Sequence, residues 1–383
     1  MSRVAVVRCP SYNIAAVRAA VEQGIGLLGG VERFARSGET ILLKPNLLIG
    51  REPDRAVTTH PSVFQAVAEL FLAVGASLTY GDSPAFGRAE AVAGRAGIAG
   101  AARELGVPLA DFVTPVAVPY PEGVLIKQFT IARGVLDADG IVSLCKMKTH
   151  GLTRITGAIK NQYGCIPGLL KAEFHARLPN ARLFTQMLVD LNGLLRPRLY
   201  VMDGVVAMEG NGPQGGSPRA MNVLLFSDDP VALDAAFCHL IDLDPHLVLP
   251  IVAGEEAGLG TATGTEYVGD PVEGFVARDF AVNRRPLSTT GTALRPGRVS
   301  LFFRRFVIPK PAIRSVRCTR CGTCVAICPV TPKAVDFEDA ARSAPPVHRY
   351  DRCIRCYCCQ EICPEGAIEI AVPFLGRLIR RAR

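Results

Sequence analysis

The chain has 383 residues, 49% of them hydrophobic and 20% charged, and its formal net charge is +8. This length predicts two or three domains, and the composition excludes a disordered chain. No apolar run reaches the roughly 18 residues of a membrane-spanning helix, and the first ten residues have the pattern of a strand, without a signal or transit peptide. The sequence therefore predicts a cytoplasmic protein.

Strands and helices are predicted to alternate along most of the chain. Apolar runs predict strands at residues 4–7, 40–43, 77–80, 140–144, 199–202 and 222–226. Apolar residues at helical spacing predict helices at residues 13–28, 61–73, 88–105 and 230–241. Asp229 has the position and chemistry of an N-cap for the last of these helices. This alternation is typical of an α/β fold in which a mostly parallel sheet is flanked by helices.

Polar residues follow several predicted strands, where ligands bind in open α/β sheets. The candidates are Lys44, Asn46, Asp82, Lys146, Lys148, His150, Lys160, Asn161 and Asp203. Four of them are potential cations within residues 146–160, and such a group is repulsive unless an anion compensates it. Turns and helix caps also need polar residues, and this need suffices to account for Asp82 and Asp203. It accounts less well for the lysines and the histidine, so the set predicts a site for a small anion.

Three of these residues are predicted to be catalytic. His150 is the candidate for proton transfer because imidazole titrates near neutral pH. Lys148 and Lys160 could bind a carboxylate or phosphate, or stabilise an enolate-like charge that forms during reduction. The other six residues are predicted to bind the substrate.

One cysteine spacing occurs twice near the C-terminus. Each copy reads Cys-x2-Cys-x2-Cys-x3-Cys-Pro, beginning at Cys318 and at Cys353. In two-cluster bacterial ferredoxins, three close thiolates of this motif bind one 4Fe–4S cluster and the fourth binds the other. We therefore assign Cys318, Cys321, Cys324 and Cys363 to one cluster, and Cys353, Cys356, Cys359 and Cys328 to the second.

A zinc site or a disulfide framework fits these cysteines less well. A zinc site needs four ligands, whereas this motif supplies eight in two interlocked sets. Disulfides would need an oxidising compartment. Cys358 has no place in the repeat and is predicted to be a free thiol near a cluster. A flavin would couple one-electron clusters to two-electron chemistry, but the sequence contains no flavin motif and the Gly-x-Gly patterns are not followed by the expected elements.

Four segments follow from these patterns: an α/β domain at 1–285, a basic linker at 286–312, a cluster domain at 313–372 and a basic amphipathic tail at 373–383. Between residues 281 and 335 there are eleven Lys or Arg and no Asp or Glu. Three roles of this charge remain open: balance of the negative clusters, docking of an acidic electron donor or acceptor protein, and peripheral contact with an anionic membrane. Nucleic acid is not expected, because no known binding module is present.

Six short motifs resemble one known family, catalogued as a domain of unknown function, DUF362. They are Lys44-Pro45-Asn46, Gly81-Asp82-Ser83-Pro84, Lys146-x-Lys148-Thr149-His150, Gly157-Ala158-x-Lys160-Asn161, Asp203-Gly204 and Asp229-Pro230-Val231-Ala232-x-Asp234. The resemblance spans about residues 44–269. Members of that family often carry a ferredoxin-type pair of cluster motifs, so it implies an α/β fold and a redox association, without a settled reaction.

The two sets of motifs together predict an iron–sulfur oxidoreductase. In this hypothesis the clusters relay electrons to a small anionic substrate that the lysine and histidine segment binds. One alternative is a non-enzymatic electron-transfer or redox-sensing subunit whose α/β domain is a docking platform. Another is a non-redox enzyme whose clusters are structural.

Overall fold

The computed structural model describes residues 1–168, 170–178, 180–285 and 309–373, and its larger unit contains ten strands and ten helices among those residues. The strands are β1 (Arg3–Arg8), β2 (Thr40–Pro45), β3 (Ser77–Tyr80), β4 (Pro115–Pro119), β5 (Gln128–Ala132), β6 (Gly140–His150), β7 (Arg154–Thr156), β8 (Leu199–Glu209), β9 (Ser217–Ser227) and β10 (Glu266–Gly269). The helices are α1 (Ile14–Leu27), α2 (Pro61–Ala73), α3 (Ala89–Arg95), α4 (Ile98–Glu104), α5 (Arg133–Leu136), α6 (Ala158–Asn161), α7 (Leu170–Arg177), α8 (Ala181–Leu195), α9 (Pro230–Leu240) and α10 (Leu249–Glu256).

The main sheet is mixed but mostly parallel, as the alternation of elements predicts. Its order is β10-β1-β9-β8-β6-β2-β3, with β7 paired to β6. The pairs β3–β2, β2–β6, β6–β8 and β1–β10 are parallel, whereas β9 runs antiparallel to both of its neighbours. Because β2, β3 and β6 are parallel neighbours, the residues after their carboxyl ends meet at one edge of the sheet.

Helices cover both faces of this sheet. Val4 and Val6 of β1 belong to the hydrophobic cluster that contains α8 and α9. Ala5 and Val7 belong to the opposite cluster, which contains α1 and α2. Successive side chains of a strand point to opposite faces, so burial on both sides accounts for the nearly continuous apolar runs in the sequence. Each large apolar side chain buried here contributes roughly 1.5–3 kcal/mol.

Five of the six strands are longer than predicted. The strands expected at 140–144, 199–202 and 222–226 extend to the bounds of β6, β8 and β9, and those at 4–7 and 40–43 extend to the bounds of β1 and β2. The residues that we expected after strand ends but that lie within strands are Lys44, Lys146, Lys148, His150 and Asp203. The extensions of β6, β8 and β9 pair with one another, so their backbone groups are satisfied although their side chains are not apolar.

The helix predicted at 88–105 was wrong in one respect, because it is two helices. Gly97 lies between α3 and α4 with φ of 76°, a left-handed conformation that glycine adopts without steric cost and that ends a helix. The predicted N-cap of α9 is confirmed, since Asp229 Oδ1 accepts hydrogen bonds from the backbone N–H of Val231 at 2.8 Å and of Ala232 at 2.9 Å.

A small cysteine-rich unit follows the larger one. It contains β11 (Lys310–Ile313) paired with β14 (Ile368–Ala371), β12 (Val335–Asp336) paired with β13 (Val347–His348), and the short helices α11 (Thr323–Ile327) and α12 (Cys358–Glu361). Its first strand begins before the predicted domain start at 313. Residues 286–308 of the predicted linker and 374–383 of the tail lie outside the described residues.

Candidate active site between the two units

The eight motif cysteines surround two separate small cavities. One is lined by Cys318, Cys321, Cys324 and Cys363, and the other by Cys328, Cys353, Cys356 and Cys359. These are the two quartets that the spacing assigns. Four thiols around each cavity are the donor set of a 4Fe–4S cube, in which each sulfur binds one corner iron. The arrangement therefore fits two cubic clusters.

A third cavity, of about 300 Å³, lies between the two units. The α/β unit contributes Asn46, Asp82, Lys148, Lys160 and Asn161 to its wall. The cluster unit contributes Ala326, Ile327, Cys358, Glu361 and Ile362. This volume is at the low end for ligand sites and suits a metabolite. The cavity is thus lined both by predicted site residues and by neighbours of cluster ligands.

Lys44 forms a buried ion pair with Asp82 of this wall. Lys44 Nζ lies 2.9 Å from Asp82 Oδ1, and it also donates to Asn161 Oδ1 at 3.3 Å. Asp82 Oδ2 accepts a hydrogen bond from the backbone N–H of Leu47 at 2.7 Å. Both charges are compensated and hydrogen-bonded, as buried charges must be. The pair therefore holds the ends of β2 and β3 and the adjoining α6 together.

Two glycines allow backbone to approach this network. A Cβ on Gly164 would lie 1.7 Å from Asp82 Oδ1, and one on Gly157 would lie 1.9 Å from Asp234 Oδ1. Asp234 Oδ1 accepts a hydrogen bond from the backbone N–H of Ala158 at 2.6 Å, at the start of α6. Glycine is needed at both positions because of this close approach, which positions Lys160 and Asn161 of α6 at the cavity.

Lys148 is buried at the cavity without a carboxylate partner among the described residues. Its Nζ donates to Asn46 Oδ1 at 2.7 Å and to the carbonyl oxygen of Val57 at 2.7 Å. Burial lowers the pKa of Lys148 well below its ordinary value, and the positive charges of Lys160 and Lys146 lower it further. An anion in the cavity would relieve this cost.

Positive charge dominates the described cavity wall. Lys148, Lys160 and Lys171 line it, against the carboxylates of Asp82 and Glu361, and Asp82 is already paired with Lys44. Lys160 is half-buried, and its ammonium group makes neither a hydrogen bond nor an ion pair within the described ranges; its Nζ lies 5.7 Å from the centroid of the Tyr163 ring. Burial lowers the pKa of Lys171 to about 8. The wall therefore favours an anionic ligand.

His150 does not line this cavity, although it was the expected proton-transfer residue. Its Nδ1 accepts hydrogen bonds from the backbone N–H of Leu152 at 3.0 Å and of Thr153 at 3.1 Å, which places the proton of the neutral ring on Nε2. Nε2 lies 2.8 Å from Glu361 Oε1. Burial lowers the pKa of His150 to about 4, and the charge of Lys160 adds to this effect. His150 therefore connects the α/β unit to the cluster unit.

Lys146 and Asp203 lie in a different network. Lys146 Nζ is 2.7 Å from Asp203 Oδ2 and 2.8 Å from Tyr12 Oη, and Tyr12 Oη donates to Asp203 Oδ1 at 2.8 Å. The His60 ring stacks on Tyr12 with centroids 3.5 Å apart. Neither Lys146 nor Asp203 lines the cavity within the part of the chain that is described. This network joins β6, β8 and the start of α2.

Further hydrogen bonds join the units around the cavity. Gln214 Nε2 donates to the carbonyl oxygens of Glu361 at 3.1 Å and Cys363 at 2.7 Å. Gln360 Nε2 donates to Asn211 Oδ1 at 2.9 Å. Because Cys363 is a predicted ligand, these bonds fix a cluster-binding segment against the α/β unit.

Sequence reasoning missed several residues of the cavity. Lys171 and His175 of α7 and Glu361 of α12 all line it. Glu361 lies between two cluster cysteines, where its spacing reveals nothing about its contact with His150. Lys171 follows the glycine-rich segment directly, so its proximity to the other lysines was the one available signal.

Comparisons with known proteins match two separate parts of the chain. The profile of the domain of unknown function DUF362 matches residues 41–239, and that of a 4Fe-4S dicluster domain matches residues 309–367. The thylakoid-associated protein sll1697 of Synechocystis sp. is 35% identical over 257 residues, which are 67% of this chain and 79% of that protein. No helix in the described ranges is long and apolar enough to cross a membrane.

Two solved structures show weaker likeness. A protein from Thermotoga maritima has a TM-score of 0.36 at 12% identity, with 66% of this chain and 60% of that chain covered. The lactate racemase apoprotein of Thermoanaerobacterium thermosaccharolyticum has a TM-score of 0.37 at 11% identity, with coverages of 60% and 55%. The chain thus spans less than two thirds of either protein.

The extent of the family match, together with the coverage of the Synechocystis relative, settles the classification. The chain belongs to the DUF362 family and carries a C-terminal dicluster domain for two 4Fe–4S clusters.

Proposed function

We propose that the protein is an iron–sulfur oxidoreductase that reduces a small anionic substrate in the cavity between its two units. The observation that carries this proposal is the composition of the wall. Lys148 and Lys160 line the α/β side, while Ile327 and Ile362 line the side of the cluster unit. These two isoleucines directly precede the cluster ligands Cys328 and Cys363 in the chain. A substrate there would touch both an anion-binding group and the surroundings of the clusters.

When bound, the two clusters supply one electron each, which is the number that reduction of one double bond requires. The bond also takes up two protons, so a π bond breaks and two bonds to hydrogen form. Lys160 is half-buried and can pass protons from solvent to the substrate. Lys148 stabilises the negative charge that develops before protonation. His150 is a positioning residue in this scheme, because it acts through Glu361.

Electrons would enter the cluster unit at the exposed surface around Cys321. Cys321 is the exposed one among the described cysteines. Arg317, Arg320 and Arg342 around it are exposed, so they present positive charge. An electron-donor protein with an acidic surface fits this face, since complementary charge accelerates encounter. A cytoplasmic location would keep the ligand thiols reduced and would bring such a donor within reach.

The cavity favours an enzyme over a carrier. A docking platform has no need of buried lysines without carboxylate partners, because burying such charges costs free energy. A bound anionic substrate would offset this cost. Titratable groups with perturbed pKa values in a cleft often belong to functional sites for this reason.

The test uses cluster-loaded protein reduced anaerobically and mixed with reducible anions, namely 2-oxo acids and conjugated carboxylates. At least one should reoxidise the clusters, with one product formed per two electrons. Lys160→Ala should slow this reaction at least about tenfold, with unchanged cluster spectra. Lys127→Ala is the control, because Lys127 is exposed and donates only to Pro121 O at 3.0 Å among the described residues. Equal rates in both variants, or reoxidation by proteins alone, would support the carrier instead.

A further inference from the structure

Thr156 lines the cavity and is buried, yet its hydroxyl has no hydrogen-bond partner among the described residues. A buried hydroxyl without a partner is destabilising, whereas valine would fill nearly the same space without that cost. The hydroxyl itself therefore contributes nothing to the stability of the fold. The oxygen itself has almost no accessible surface, so a small shift of the side chain must accompany a hydrogen bond to a ligand in the cavity.

The strand register places Thr156 next to Lys148. The two residues are directly opposite in the antiparallel pair of β6 and β7, so their side chains lie on the same face. Lys160 follows in α6, after the close approach of Gly157 to Asp234. One hydroxyl and two ammonium groups thus come from a single short stretch of backbone. They form a donor set suited to the two oxygens of one carboxylate.

The remainder of the cavity is largely apolar. Ile327 and Ile362 of the cluster unit, with Leu48, Pro84 and Phe86 of the α/β unit, supply much of the wall. A hydrated phosphate would leave this surface in contact with water. A carboxylate with an apolar body would use both parts of the cavity.

We propose that the substrate is a small conjugated carboxylate, and that Thr156, Lys148 and Lys160 bind its carboxylate group while its apolar end lies against Ile327 and Ile362. This inference rests on the proposed function. The reducible carbon–carbon double bond, which is conjugated to the carboxylate, then lies between the two lysines and the wall of the cluster unit. Two electrons from the clusters and two protons saturate it: the π bond breaks and two C–H bonds form. The donor protein returns the clusters to the reduced state.

The experiment measures binding of trans-cinnamate to the cluster-loaded, full-length protein by calorimetry. Cinnamate should bind, and Thr156→Val should weaken it about tenfold, as loss of one hydrogen bond to a charged group does. Thr185→Val is the matched control, because Thr185 is also buried with an unpartnered hydroxyl among the described residues but does not line the cavity. Its affinity should stay within about twofold of the parent. Thr156→Val should keep the cluster spectrum, and its melting temperature should be at least that of the parent, because valine removes an unpartnered buried hydroxyl.

Three results would overturn the inference: equal affinity of Thr156→Val and the parent, equal binding of the neutral cinnamamide, or tighter binding of inorganic phosphate than of cinnamate. Other results would contradict only one of the two proposals, the reductase activity or the carboxylate substrate. If cinnamate binds as described but neither it nor any other anion reoxidises the clusters, the carboxylate site stands and the reductase does not. If another anion accepts electrons while Thr156→Val binds cinnamate unchanged, the reductase stands without this substrate class.

Discussion

Lys146 and Lys148 lie two residues apart on β6, and both are buried, but their surroundings differ. Lys146 is 2.7 Å from the carboxylate of Asp203. Lys148 has no carboxylate partner in the described part of the chain and contacts amide and carbonyl oxygens. Burial lowers the pKa of both, but Asp203 opposes the shift at Lys146, whereas Lys160 reinforces it at Lys148.

We interpret this difference as one between a charge that the fold compensates and a charge that a ligand would compensate. Lys146, Asp203 and Tyr12 satisfy one another and join three elements without reaching the cavity. Lys148 lies at the cavity with its charge uncompensated. A buried charge that the fold itself does not compensate is a candidate for compensation by a ligand. Substitution of Lys146 should therefore mainly lower the stability of the fold, whereas substitution of Lys148 should mainly affect anion binding.

The largest effect is expected at the structural pair. Lys146→Met leaves Asp203 charged and unpaired in the interior, which should lower the free energy of unfolding by about 3–5 kcal/mol. Lys148→Met should cost only about 1 kcal/mol, because the lost hydrogen bonds are partly offset by removal of an uncompensated ammonium group. Denaturant unfolding measures both, and equal losses would contradict the comparison.

Protonation of a buried histidine at the cavity should also lower the free energy of unfolding. His175 is buried there, and burial lowers its pKa to about 4. Since the unfolded chain binds this proton below about pH 6.5 and the folded chain does not, stability should fall as the pH falls from 6.5 to 4, by about 3 kcal/mol for this residue. Unfolding of His175→Phe over this range should show a smaller loss, and an unchanged pH dependence would exclude His175 as the cause.

A smaller effect is expected where the backbone approaches Asp82. Gly164→Ala places a Cβ 1.7 Å from Asp82 Oδ1 and 2.8 Å from Lys44 Nζ, so the ion pair must shift. The cost should be about 1–3 kcal/mol, together with weaker cinnamate binding. Gly26→Ala is the control, because a Cβ added to Gly26 in α1 has no neighbour within 4 Å. Gly168 has no such neighbour either, but its φ of 54° would strain an alanine. Equal stability of Gly164→Ala and Gly26→Ala would refute the close approach.

The smallest predicted effect concerns anion affinity. Burial lowers the pKa of Lys171 to about 8, so this lysine loses its proton and its charge as the pH rises through that value. Cinnamate affinity should fall severalfold between about pH 7 and 9, as loss of one neighbouring charge implies. Calorimetry at both pH values tests this, with Lys171→Met expected to abolish the change. A constant affinity in the parent would remove Lys171 from the site.

Much of the fold could be predicted because its signals are local. Apolar runs located β1, β2 and β3, and the cysteine spacing alone assigned both clusters. The ends of β6 and β8 could not be predicted, because Lys146, Lys148 and Asp203 break the apolar pattern although they are buried in pairs and networks. Burial of a charge depends on partners distant in sequence, which periodicity does not report.

The site was predictable only as a set of residues. The motifs named Asn46, Lys148 and Lys160, but they did not separate these from Lys146, which lies elsewhere. Glu361 could not be predicted from the sequence, because its role depends on how the cluster unit packs against His150. Contacts between the units are long-range in sequence, and no local pattern encodes them.

The central claim is that the cavity holds an anion next to the clusters, and fluorine NMR of 3-(4-trifluoromethylphenyl)propanoate tests it most directly, because this saturated carboxylate cannot reoxidise the clusters. The probe is added to cluster-loaded protein before and after anaerobic reduction, which gives the clusters unpaired electrons. The account predicts that the resonance of the bound probe broadens on reduction, since the trifluoromethyl group lies against Ile327 and Ile362, and that Lys160→Ala removes the effect. A bound probe whose line width is the same in oxidised and reduced protein would contradict the account.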